Sequence, residues 1–117
     1  VMTHGFEPIN FRRDPGRFEL PREILDCVRL PSMHVEVMFH LMAPETEYPF
    51  PWAHEALTQL YEEVGPAKLL WGSDMPGAER TVTYRQTMDY VRVHASFMSD
   101  EEKMLLFGGN AARILRV

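Results

Sequence analysis

Cysteine is almost absent from this sequence. Cys27 stands alone, so no internal disulfide can staple the fold, and a reducing compartment fits. Long apolar runs are missing as well. No uncharged stretch approaches the roughly 18 residues that cross a bilayer, and the opening VMTHGFEPINFRR lacks a secretory layout. Membrane partners are therefore not expected, and a cytoplasmic protein is. Basic charge is in deficit: 12 Lys and Arg face 17 Asp and Glu, a formal net charge of -5. Nucleic acid and anionic lipid both need a concentrated basic surface to displace counterions, so a basic binding module is disfavoured. What remains is 45% hydrophobic and 25% charged, enough apolar surface for one globular domain over residues 1–117. Residue 1 is a valine in an apolar stretch, which leads us to expect a piece of a longer protein.

An apolar segment, a turn and a helical stretch recur three times. The first unit starts at Val1 and Met2, breaks at Gly5, and passes a loop with Pro8, Pro15 and Gly16. Its helix begins near Pro21, carries Ile24, Leu25, Val28 and Leu30, and ends at Pro31. The second opens with residues 34–42, where Val35, Val37, Phe39 and Leu41 alternate with His34, Glu36, Met38 and His40. That period of two predicts a strand. A proline-rich loop leads to a helix over 52–64 bearing Leu57, Leu60, Tyr61 and Val64, stopped by Gly65 and Pro66. A strand over 68–74 follows, then the loop Met75-Pro76-Gly77 and a helix through Tyr84, Met88, Tyr90 and Val91. Ser99 and Glu102 form a capping box for a last helix that runs to Phe107 and stops at Gly108 and Gly109, with Asn110 capping a final turn.

Strands and helices in alternation indicate parallel βαβ units of the α/β class. Three parallel strands are few, because both faces of such a sheet must be covered and two edges stay open. Self-association, as a homo-oligomer, or completion by the remainder of a parent chain is expected.

The segment Leu70-Trp71-Gly72-Ser73-Asp74-Met75-Pro76, with Gly-Gly-Asn-Ala-Ala-Arg-Ile-Leu about 35 residues on, resembles the end of the amidohydrolase-related family. Its members are metal-dependent (β/α)₈ TIM barrels and include aminocarboxymuconate-semialdehyde decarboxylase. Val1 to Gly5 looks like the sixth strand, Met33 to Leu41 like the seventh, and Glu63 to Leu70 like the lead into the eighth. The resemblance covers the whole chain but only the last three of the family's eight units, plus the C-terminal helices. It implies a hydrolase or decarboxylase acting on a small carboxylic or cyclic substrate through a metal-activated water.

It also implies roles for particular residues. Barrel active sites form where strand C-termini meet the following loops. Asp74 stands at such a place, and the matching family aspartate binds a divalent cation, zinc being the expected one, and takes a proton from the activated water. The alternative is an Asp that caps its own loop through backbone N–H groups. His4 matches the histidine used beside the metal as acid, base or donor, an imidazole suited to neutral pH, or is a plain loop residue. His40, at the tip of the second strand, either lines the substrate pocket or simply packs. His34, His54 and His94 sit in no motif and read as surface or capping residues. Arg12, Arg13 and Arg17 either hold a substrate carboxylate or are solvated. Glu79 and Arg80 carry the same two readings. Trp71 reads as core.

The family takes further ligands from a His-x-His pair on the first strand and a histidine on the fifth. None of the five histidines here has another two residues away, so this chain by itself is not expected to assemble a catalytic centre. A non-catalytic α/β module that associates through open strand edges is the rival reading.

Overall fold

The computed structural model describes residues 1, 3, 17–38 and 47–117, and 12–14 besides, with residues 12–14 and 17–18 as backbone. In order these form β1 (Arg12–Asp14), β2 (Arg17–Phe18), α1 (Arg22–Arg29), β3 (Val35–Val37), α2 (Pro51–Val64), β4 (Leu69–Trp71), α3 (Tyr84–Arg92), α4 (Asp100–Met104) and α5 (Asn110–Leu115). Short 3₁₀ turns at Pro66–Lys68 and Gly77–Arg80 flank β4.

The expected parallel pairing holds for β3 and β4, in the register Val35↔Leu69, Glu36↔Leu70, Val37↔Trp71. Among the described residues the parallel sheet has two strands, not three. Val1 and Thr3 lie outside any strand, and Met2, with the rest of the predicted first strand, lies outside the described residues. The stretch read as a loop contains an antiparallel pair, β1 with β2. Strands of two and three residues are too short for a period of two to register in the sequence.

Alternation explains the β3–β4 sheet. Val35, Val37 and Leu69 are fully buried on one face, while Glu36, paired with Leu70, is half-buried on the other. Met38, expected on the Glu36 side, is buried as well. These side chains join one hydrophobic core with Ala53, Ala56, Leu57 and Leu60 of α2, which follow helical spacing and are all fully buried. Burying each leucine is worth roughly 1.5–3 kcal/mol. Tyr61 and Val64 are only partly buried at the margin.

Helix ends follow the sequence unevenly. Gly65 takes a positive φ of 72° after α2, a conformation glycine adopts at no steric cost. The Ser99–Glu102 capping box forms, with Ser99 N donating to Glu102 Oε2 at 2.8 Å, and the hydroxyl of Tyr61 donates to the other oxygen at 2.8 Å. A second box, Thr83 with Gln86, begins α3. Leu30, expected on the apolar stripe of α1, is 52% exposed. At the C-terminus the helix breaks at Gly108, whose backbone is not helical, as the glycine pair predicts, and α5 starts directly after Gly109.

Asn110 is consequently no cap. Its side chain is fully buried, and Nδ2 donates to Pro66 O at 2.7 Å and to Leu69 O at 2.8 Å. The break aims this amide across the core instead of along its own helix.

Candidate active site

β4 delivers the motif loop. Its ladder extends one residue past the strand, where Gly72 N donates to Val37 O at 3.1 Å. A side chain at Gly72 would force Glu36 to move, because a Cβ there would stand 2.7 Å from the Cδ of its carboxylate. Glu36 thus lies across Gly72 at the same end of the sheet as the motif. Sequence reasoning missed this carboxylate, having read Glu36 only as the polar half of an alternation; the glycine opposite it was the available signal.

After Gly72 the chain turns sharply. Met75 N donates to Ser73 Oγ at 3.3 Å, and Ala78 N donates to Asp74 O at 2.8 Å. Asp74 adopts a positive φ of 52°, and the Met75–Pro76 peptide is cis. Aspartate is among the few non-glycine residues that tolerate this left-handed region. Its carboxylate lies close over the next turn, for a Cβ on Gly77 would stand 2.6 Å from Oδ2. Asp74 is half-buried.

Trp71 anchors the strand just before the motif. Its Nε1 donates to Thr87 O at 2.9 Å, and its ring meets Tyr84 edge-on at 5.9 Å and Phe107 at 5.8 Å. Expected in the core, it is only half-buried, and with Tyr84, Met88, Arg92, Met104 and Phe107 it lines a groove of about 510 Å³.

The other expected site residues divide into two groups. His4 and His40 lie outside the described residues, as do the side chains of Arg12, Arg13 and Arg17. Glu79 and Arg80 are exposed. Among the described residues, no three His, Cys, Asp or Glu side chains come together as a metal cluster.

Two of the histidines read as surface or capping residues meet each other; His94 is exposed and His54 half-buried. His54, in the first turn of α2, is 6.4 Å from His94, just beyond α3, and 5.9 Å from Tyr90, ring centre to ring centre. The His94 Nε2 lies 3.1 Å from the Tyr48 hydroxyl. His54 Nε2 is buried without a hydrogen-bond partner. Burial first, then the charge of His94, lowers the pKa of His54, opposed by a hydrogen bond to the Pro49 backbone. Burial first, then Asp89, raises that of Tyr48. Asp89 itself is held low, chiefly by its hydrogen bond from Arg85 at 2.8 Å, with Arg92 adding another at 2.7 Å.

No helix among the described residues is long and apolar enough to cross a membrane. No curated protein matches the chain, and no solved structure does. The family model described as amidohydrolase matches residues 1–117. An aspartate presented at the end of a parallel strand agrees with that match over its whole length, and the chain belongs to the amidohydrolase family.

Proposed function

We propose that this protein contributes the metal-binding aspartate of a hydrolase or decarboxylase that acts on a small carboxylic or cyclic substrate, within a (β/α)₈ barrel to which residues 1–117 supply the last three units. The carrying observation is the placement of Asp74: at the C-terminal end of β4, in a turn that bends sharply away from the sheet. Such ends are where barrel active sites gather.

Asp74 fits one position of a divalent site. A carboxylate oxygen is a good ligand for zinc, the ion we propose, or for manganese. The described residues do not complete the set, so other ligands come from elsewhere in the barrel. A bound divalent ion would supply a water that ionises near neutral pH. This chain's part is then to hold the carboxylate in place and to accept a proton at Asp74 Oδ. His4 is assigned the neighbouring acid or base role, and His40 the pocket wall. A cytoplasmic location agrees with this chemistry.

The test is Asp74→Ala in the full-length protein, assayed for metal per chain and for turnover of small carboxylic and cyclic substrates. Both should fall, the metal content by about one equivalent and turnover to background, with far-UV circular dichroism unchanged. Normal turnover refutes the assignment.

A second reading rests on the two-strand extent of the described parallel sheet. A parallel sheet that short needs more strands to be stable, and a non-catalytic module that self-associates through its edges would gain them. Light scattering on the isolated 117-residue chain discriminates: assembly is expected under that reading, and a monomer with one cooperative melt argues against it.

A further inference from the structure

We infer that Asn110 is a positioning residue for Asp74: it fixes where β4 lies along its own axis and thereby where the carboxylate at the far end is presented. The inference rests on the role proposed for Asp74.

The geometry at the start of β4 carries it. Strand β4 is three residues long and pairs on one side with β3, itself three residues long. So short a ladder defines its register weakly. Asn110 adds what the ladder lacks. Its buried amide donates to two carbonyls that bracket the 3₁₀ turn before the strand, Pro66 O at 2.7 Å and Leu69 O at 2.8 Å. Its own Oδ1 accepts from Arg113 at 3.2 Å, and the same guanidinium donates to Ala67 O at 2.8 Å. Three carbonyls of one turn are therefore held by two side chains of α5.

The opposite side of that turn is also fixed. Lys68 Nζ donates to Val28 O, Arg29 O and Leu30 O at 2.9, 3.1 and 2.7 Å. The segment cannot slide toward α1 or α5 without breaking one set. Asp74 follows Leu69 by five residues, the first two of them in β4, so a displacement at Leu69 passes along the strand into the loop that carries the carboxylate. The helix break at Gly108 sets the direction of α5 and so brings the amide to this place.

Asn110→Ala in the full-length protein tests this, with Asn110→Ser, which keeps one donor, as partner. In the metal-free protein, amide resonances of residues 72–75 and 77 should move in Asn110→Ala and return partway in Asn110→Ser. With cobalt(II) as probe, Asn110→Ala should weaken binding by about tenfold and alter the visible absorption, the size expected when the support of a metal ligand is lost, while circular dichroism stays native. Should Asn110→Ala fail to fold, Asn110→Ser decides by the same measurements. Unmoved resonances and unchanged cobalt affinity in a folded variant overturn the inference. Asp74→Ala separates the two claims. If that variant keeps its cobalt, the metal role of Asp74 fails, and the resonances of residues 72–75 and 77 still decide whether Asn110 sets the loop.

Discussion

The two ends of β4 are held by different means. At its start the bonds reach far along the chain: Lys68 to the end of α1, 38 to 40 residues away, and Asn110 back to Pro66 and Leu69, 41 to 44 residues away. At its finish Gly72 N still reaches back to Val37 O, and beyond it the turn is shaped by local bonds, Met75 N to Ser73 Oγ and Ala78 N to Asp74 O. Long-range bonds fix a strand in the molecule, because breaking them means parting whole elements. Local bonds shape a turn. The division explains how a carboxylate can be presented on a tight turn without the strand behind it drifting.

That contrast can be broken first at the start of the strand. Asn110→Ala strips the donor from two carbonyls, and a buried acceptor left unmet costs roughly 1–3 kcal/mol. Urea denaturation should show a loss of about 3 kcal/mol. A loss below about 0.5 kcal/mol would mean that the clamp contributes little.

Lys68→Met tests the other half of the clamp. Three carbonyls at the C-terminal end of α1 lose a cation that both bonds them and offsets the helix dipole. About 1–2 kcal/mol should be lost, with faster amide exchange confined to α1. Exchange spread evenly over the molecule would contradict a local clamp.

At the finish of the strand the expectation reverses. In Gly77→Ala the new methyl would stand against Asp74 Oδ2, so the carboxylate must rotate, while the exposed 3₁₀ turn tolerates alanine. Stability should change by less than about 0.5 kcal/mol, yet metal affinity should drop. Equal affinity in wild type and variant would show that Oδ2 is free to move without consequence.

The smallest effect lies outside the strand, at His54. Its folded pKa is below the ordinary 6.5 because burial, then His94, disfavours the charged ring. The unfolded chain therefore takes up the proton first as pH falls. The contribution is fully present above about pH 6.5 and is lost as pH drops through the folded pKa. His94 and Tyr90 face this ring, and Tyr48 faces His94 in turn. Asp89 and Glu102, held low by Arg85 and by the Ser99 backbone respectively, act only in a more acidic window, below 3.8 and 4.5. Melting temperature should fall between pH 6.5 and 5, and His54→Phe should flatten that slope; an unchanged slope would assign the acid sensitivity elsewhere.

Much of this was legible from residue order. The helix over 51–64, its glycine stop, the Ser99–Glu102 box, the parallel β3–β4 pairing and the loop that carries Asp74 all follow local rules of period, cap and turn. The illegible parts are those where a residue acts on something distant. Asn110 looked like a cap because an Asn after two glycines favours one; its actual partners stand more than 40 residues away. Glu36 looked like a solvent-side residue until Gly72 was found beneath it. His54 and His94 carried no motif because their meeting depends on how α2 and α3 pack.

The sequence by itself determined the class, the family and the position of the aspartate on a strand end, because period, turn chemistry and motif spacing are properties of neighbouring residues. Only the tertiary structure decided that α5 returns to clamp the strand, that a second carboxylate lies across Gly72, and that the rings of His54 and His94 meet. Those are distances between remote segments, set by how apolar faces close on one another, and no local pattern encodes them.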